Sequence, residues 1–378
     1  MIDFELTSEQ ILLQQTIRAF LAAELAPFVD EFEEREEFPV DILPKLGELG
    51  ALSLGFPQAI GGEGGHVEVA ILTEEIAALA GGACSSIMTH MIGAKIISEF
   101  GSDVQKEKYL PRALAGELMT AIAITEPDHG SDVAGIQTTA RKENAGYTLR
   151  GQKMFITNAT HAGVFMVMAT TDPGSRKDGI SMFLVDGGAA GLEVGPKLRK
   201  LGWHTSDTAP IHLDDVAVPL DNLLGRPGGG FEQLSQGFVF ERVIMAAMAV
   251  GAARAALGDA LLYARERQQF GRAIKDFQVI RHALADLATQ VEAARWLTYR
   301  AAWAADRNPK DPAPAAMAKL FTSETAVHVA DRAVQIFGGA GFMNEVRVSR
   351  IYRDVKVLTI GGGTSEIMRS IVAKSLDL

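Results

Sequence analysis

Glu241 has unusually apolar sequence neighbours for a carboxylate, standing among Phe238, Val239, Phe240, Val243, Ile244 and Met245. A carboxylate forced out of water has its pKa raised toward neutrality, which suits a general base acting on a weak acid. On these residues alone, a helix glutamate paired with Arg242 or facing solvent is the favoured reading. A second candidate is Ala121–Gly135, AIAITEPDHGSDVAG. Four small or apolar residues read as a buried strand that stops at Thr125-Glu126-Pro127. Pro127 lacks an N–H and holds Glu126 extended, so the strand must end there. The following turn would expose backbone N–H groups and the Thr125 and Ser131 hydroxyls at one edge, with Gly130 permitting close approach. Such an edge suits a flat, polar-rimmed ligand, although an ordinary strand-to-loop turn accounts for the same residues.

Other chemistries are excluded more directly. The eight histidines (His66, His90, His129, His161, His204, His212, His282, His328) are scattered, with no i, i+4 pair for zinc. Cys84 has no basic sequence neighbour and reads as a small buried residue. Neither GxSxG nor GxGxxG occurs, so a hydrolase elbow or a Rossmann dinucleotide site has no support. Gly61-Gly62-Glu63-Gly64-Gly65 lacks the Lys-Ser/Thr of a phosphate loop and reads as a flexible connection. With 36 basic against 47 acidic residues, the net charge of −11 argues against nucleic acid or anionic lipid as a partner. No apolar run reaches the roughly 18–20 residues of a membrane span. The single cysteine and the acidic start, MIDFELTSEQ, lead to the expectation of a reducing, cytoplasmic compartment.

The elements that must position these residues follow from periodicity. Residues 1–118 read as helical, beginning with a Thr7/Gln10 capping box and continuing through Val67–Leu79, Ser85–Phe100 and Lys106–Leu118. Residues 119–226 change to short β-branched or alternating runs: Tyr147–Leu149, Met154–Thr157, Val164–Thr170, Ile180–Val185, Leu192–Val194 and Ile211–Val218. Their spacing predicts an antiparallel barrel or sandwich. Residues 227–378 return to long Ala-rich amphipathic helices over Phe231–Gln268, Phe277–Asp306 and Ala315–Phe337, as in a four-helix bundle, with a last helix after Thr364. The expected fold class is therefore α+β, mainly α.

Four stretches in order narrow this further: Ala121–Gly135, Lys153–Asn158 (KMFITN), Arg267–Arg272 (RQQFGR) and Arg353–Arg369 (RDVKVLTIGGGTSEIMR). Together they resemble the acyl-CoA dehydrogenase flavoproteins, and the resemblance runs from Phe4 to the C-terminus. It implies the three-part helix, β, helix architecture and FAD as cofactor. Ile122, Ile124, Thr125, Gly130 and Ser131 would line one side of the flavin, with Thr125 hydrogen-bonding its ring, and Phe155 and Thr157 would cover the other. Many relatives carry Trp where Phe155 stands. Arg267 and Phe270 would reach a neighbouring subunit's FAD, and Gln335 with Gly338-Gly339 would cradle its adenosine half. Thr364 and Glu366 would meet the ribityl and phosphate side. The resemblance also implies a homo-oligomer, a tetramer built as a dimer of dimers, an acyl-CoA substrate, and electron-transferring flavoprotein as the electron acceptor.

One departure from the family is informative. Many relatives place Tyr-Glu-Gly-Thr where this chain has Gly361-Gly362-Gly363-Thr364, and that Glu is their catalytic base. Gly362 has no side chain, so the resemblance moves the base to Glu241, the position used in isovaleryl- and long-chain acyl-CoA dehydrogenases. Gly362 keeps its N–H as an oxyanion donor, beside a ribityl hydroxyl of FAD. Substrate contacts would come from Ser131, Arg242, Gly361, Gly362 and, at the far apolar end, Met88. Loss of side chains at Gly361 and Gly362 makes room for a branched acyl group. The alternatives are an oxidase or flavin monooxygenase of the same fold, and a non-enzymatic flavin-binding scaffold.

Overall fold

The computed structural model describes residues 5–378; Phe4, where the resemblance begins, and the first residues of the 1–118 region lie outside the described residues. The expected capping box is present, with the Gln10 N–H donating to Thr7 Oγ1 and the Thr7 N–H to Gln10 Oε1. It opens α1 (Ser8–Glu24), followed by α2 (Val29–Arg35), α3 (Ile42–Glu48), α4 (His66–Leu79), α5 (Gly81–Phe100) and α6 (Asp103–Leu114). Buried residues surround α4 and α5 on all faces, so this pair forms the centre of the N-terminal region rather than its shell.

The middle region contains β1 (Thr120–Ala123), β2 (Thr139–Lys142), β3 (Gly146–Thr157), β4 (Val164–Thr170), β5 (Ile180–Asp186), β6 (Leu192–Val194), β7 (Thr208–Pro219) and β8 (Leu223–Leu224). They form one sheet in the order β6-β7-β3-β2-β4-β5-β8, with β1 pairing β4 off that path. Among the described residues no sheet closes into a barrel, and the ladder is not purely antiparallel, because β1 and β2 both run parallel to β4. Alternation along a strand fixes which face is buried and carries no information about the direction of its neighbour. Every residue of β4 is buried, since helices cover one face of the sheet there and sheet residues the other.

The C-terminal region contains α7 (Gly230–Glu266), the short strands β9 (Gln268–Gln269) and β10 (Arg272–Ala273), α8 (Gln278–Arg307), α9 (Ala313–Phe337), α10 (Arg347–Val355) and α11 (Ser365–Ser375). Small side chains let the long helices approach closely: Ala246, Ala247, Ala301, Ala302, Ala315 and Ala318 share one buried cluster with Val239 and Val243. Among the described residues α7 alone is long and apolar enough to cross a membrane, and 78% of its apolar window is buried inside the fold. It is the core helix on which α4, α8 and α9 all pack.

Candidate active site

The first half of α7 carries Glu241, half-buried, while Arg242 beside it is only 6% exposed. Glu241 makes no hydrogen bond or ion pair among the described residues. Its carboxyl is raised above the ordinary range by burial, against the opposing pull of Arg242 and Lys319. Arg242 lies 5.0 Å from the Phe238 ring centroid, and its Nε has no hydrogen-bond partner. Burial lowers its pKa against the pull of Glu241. Arg242 is therefore an interior cation beside the carboxylate rather than a surface anchor.

The Gly361–Gly363 turn meets this stretch of α7. A Cβ on Gly362 would stand 3.2 Å from Glu241 Oε1 and 3.4 Å from Met245 Cγ, and one on Gly361 would stand 3.5 Å from Met245 Cε. Gly362 and Gly363 have φ of 61° and 95°, where a side chain is strained. The turn is followed by Thr364, whose Oγ1 accepts the Ile367 N–H as N-cap of α11. That helix start presents the positive end of a dipole and suits an anion. Glu366 in its first turn is fully exposed, with its pKa lowered by its own backbone N–H and the Thr364 hydroxyl.

A second group forms where β1 ends. The Met154 N–H donates to Thr125 O at 2.8 Å, tying the strand end to β3. Lys153 Nζ donates to Ile124 O at 3.0 Å and to Glu126 Oε1 at 2.8 Å, while Glu126 also accepts from the Gln137 and Thr138 N–H groups. Lys153 is fully buried, and burial lowers its pKa to about 8 against the pull of Glu126. Glu126 is thus an internal brace. The register of β3 against β7 slips between Lys153 and Ile156, which leaves an extra residue on β3. Phe155 sits in that bulge with φ of 62° and its side chain 62% exposed. Bulges re-aim side chains, and a non-glycine residue at positive φ costs roughly 1–2 kcal/mol. The chain accepts strain here to present an aromatic ring next to the Thr125 edge. Ile122, Ile124, Thr125 and Thr157 are half-buried around it, and Gly130 and Ser131 are exposed in the following loop.

A third group lies at the far ends of α7 and α9. Tyr263 and Phe337 stack with centroids 4.1 Å apart, joining the two helix ends from which the Arg267–Phe270 segment and Gly338-Gly339 continue. Phe270 and Gly271 are the two central residues between β9 and β10, with φ of 53° and 77°, as the tightest hairpin turns require. Phe270 is 93% exposed, and Arg267, Gln335, Gly338 and Gly339 are exposed as well. No atom lies within 4 Å of a Cβ placed on Gly338 or Gly339, so this backbone is open to another molecule. Met88 lies on α5 deep in the core, with its Sδ 3.1 Å from Thr73 Oγ1.

Two contacts are not legible in the sequence. Met245, an apolar sequence neighbour of Glu241, is also the side chain that packs on both Gly361 and Gly362. Lys319 on α9 is fully buried, donates to Gly363 O at 2.6 Å, and has its pKa lowered to about 8 by burial against the pull of Glu241. Its signal was a lone cation in Ala315-Ala316-Met317-Ala318-Lys319-Leu320-Phe321, the same signature that made Glu241 conspicuous.

Similarity to known proteins extends over nearly the whole chain. Family models described as acyl-CoA dehydrogenase N-terminal, middle and C-terminal domains match residues 7–117, 121–216 and 228–376. The chain is 40% identical over 379 residues to the probable acyl-CoA dehydrogenase YngJ of Bacillus subtilis, covering 99% of each protein. The butyryl-CoA dehydrogenase of Megasphaera elsdenii superimposes with a TM-score of 0.96 at 37% identity, covering 100% of both chains. A chain from a structure described as the electron transferring flavoprotein of Acidaminococcus fermentans gives a TM-score of 0.96 at 37% identity, covering 99% of each.

Proposed function

The chain belongs to the acyl-CoA dehydrogenase family of oxidoreductases, and on that premise we propose that it converts a short, medium or branched acyl-CoA to the trans-2-enoyl-CoA with Glu241 as base. The observation that carries this reading is the unpaired, half-buried Glu241 carboxylate lying against Gly362, where many relatives carry the base on the other residue. A thioester rather than a free acid fits, because the thioester acidifies the α-proton and the pantetheine arm supplies remote binding energy.

The residues present fit FAD: an exposed strained aromatic beside a hydroxyl-bearing strand end, and a capped helix start suited to phosphate. Ile122, Ile124, Thr125, Gly130 and Ser131 would hold the flavin on one side and Phe155 and Thr157 on the other, with Thr364 and Glu366 toward the ribityl and phosphates. Arg267, Phe270, Gln335, Gly338 and Gly339 would complete the site of a neighbouring copy in a homotetramer. FAD, when bound, supplies the acceptor for the hydrogen and electron pair that leave the β-carbon.

The chain's own residues carry the proton. Glu241 takes the α-proton: the C–H bond breaks, an O–H bond forms on the carboxylate, and negative charge moves to the thioester oxygen. The Gly362 N–H donates to that oxygen, and the missing side chains of Gly361 and Gly362 leave room at the α- and β-carbons. Burial keeps water from competing for the proton, Arg242 lies in the field of the base, and Met88 closes the apolar end. We further take electron-transferring flavoprotein as the acceptor, the cytoplasm as the compartment, and 1–118, 119–226 and 227–378 as the domains, the last a four-helix bundle on α7, α8, α9 and α11.

Anaerobic mixing of the yellow protein with butyryl-CoA tests this reading. Bleaching by the thioester and none by butyrate is expected. Absence of bleaching across an acyl-CoA panel would leave a flavin-binding scaffold, and rapid oxygen consumption would identify an oxidase.

A further inference from the structure

We infer that Lys319 is a positioning residue for proton abstraction, because one buried ammonium both pins the glycine turn that carries Gly362 and stands in the field of Glu241. The inference rests on Glu241 being the base.

Three consecutive glycines have the greatest backbone freedom a chain can offer. Gly361 is fixed at its start, where its N–H donates to Val357 O at 2.8 Å. Gly363 is fixed at its end by Lys319 Nζ, 2.6 Å from its carbonyl oxygen. Gly362 is oriented between these two pins, and its N–H is the proposed oxyanion donor. Lys319 is thus the side chain that gives this turn a direction, reaching it from α9.

Lys319 is also costly to keep where it is. Its side chain is wholly removed from solvent beside the alanine-lined contact of α7 with α9, and a buried cation without a matched partner costs several kcal/mol. Its hydrogen bond goes to a carbonyl, not to a carboxylate, so Glu241 keeps both oxygens free. The charges acting on this volume are Glu241 and Arg242 on α7, Lys319 and Glu324 on α9, and Glu366 on α11. Glu324 is engaged by Arg369, and Glu366 is exposed to water. Arg242 and Lys319 are therefore the two cations that oppose the effect of burial on Glu241 and favour its ionised form.

Lys319→Met removes the charge and the donor, and Lys319→Gln removes the charge but keeps an N–H donor for Gly363 O. Flavin content, thermal unfolding and anaerobic bleaching by butyryl-CoA from pH 5 to 9 are measured on the flavin-loaded oligomer. In both variants the bleaching midpoint should rise by about one pH unit or more. The plateau rate at high pH should fall about tenfold or more in Lys319→Met and recover in part in Lys319→Gln. Thermal unfolding gives a readout independent of turnover. Lys319→Met should lower the Tm less in a Glu241→Gln background than in the wild type, because the lysine there has already lost its anion. Where Lys319→Met alone fails to fold, Lys319→Gln is compared in the same two backgrounds. An unchanged midpoint, or equal destabilisation in both backgrounds, overturns the inference. Wild-type bleaching by Glu241→Gln instead overturns the base assignment on which it rests.

Discussion

Glu241 Oε1 lies 3.2 Å from where a Gly362 Cβ would stand, so the carboxylate of one helix fills the side-chain space of a residue 121 positions later in the chain. On the proposed mechanism the two positions are alternatives for one functional group. Gly362→Ala should press on the carboxylate and strain a backbone at φ of 61°, lowering stability by roughly 1 kcal/mol and slowing flavin reduction. The exchange Glu241→Gly with Gly362→Glu should recover part of the rate lost in Glu241→Gly alone. Stopped-flow bleaching by butyryl-CoA compares them; a double variant no faster than Glu241→Gly contradicts the exchange.

Phe270 occupies a hairpin position that favours glycine or asparagine. Phe270→Gly should relieve strain within one chain and yet weaken cofactor retention in the oligomer, because the ring is proposed to serve a neighbour. Bound flavin per subunit and light scattering should both fall. A fully loaded tetramer in Phe270→Gly would show that the ring has no such role.

The Glu126–Lys153 pair holds the Thr125 edge from beneath. Lys153→Met leaves a buried carboxylate without its cation and should cost about 3–5 kcal/mol, with loss of flavin. Lys153→Met combined with Glu126→Gln should be closer to the wild type in thermal unfolding. Equal damage in the single and double variants would contradict a pairing role.

Asp354 is buried and accepts the Trp203 N–H at 2.6 Å. Burial and the nearby Glu33 raise its carboxyl to about 7 against the Trp203 N–H, Arg350 and Arg353. Between its unfolded pKa near 4 and 7 the folded chain binds the extra proton, so stability from this group is present at low pH and is lost as pH rises through 7. Asp354→Asn keeps an acceptor and removes the titration. Its Tm relative to the wild type should improve from pH 5.5 to pH 8, by the equivalent of about 1 kcal/mol or more. A constant difference across that range would contradict this.

The residues that could be read from sequence share a local signal. Glu241 stood out against Phe238–Met245, and the strand end at Thr125 was marked by Pro127. The helices α7, α8 and α9 follow from sustained periodicity. What stayed hidden depends on partners. The bulge that turns Phe155 outward exists only in the register of β3 on β7. The β9–β10 hairpin lacks the Asn-Gly or Asp-Gly signature and uses Phe270-Gly271 instead. The parallel pairing of β1 and β2 with β4 cannot be read from alternation within any strand. Lys319 escaped notice because lysine on an amphipathic helix ordinarily reaches water.

The most direct test is the single-turnover rate of flavin reduction in Glu241→Gln, with butyryl-CoA and without oxygen. Loss of a general base typically costs about 100- to 10,000-fold, and the neutral amide has nearly the shape of the carboxylate. The account predicts a yellow protein that still binds FAD and acyl-CoA, with its bleaching slowed at least about 100-fold. Reduction at the wild-type rate would contradict it and move the search for the base to Glu366 or to the substrate itself.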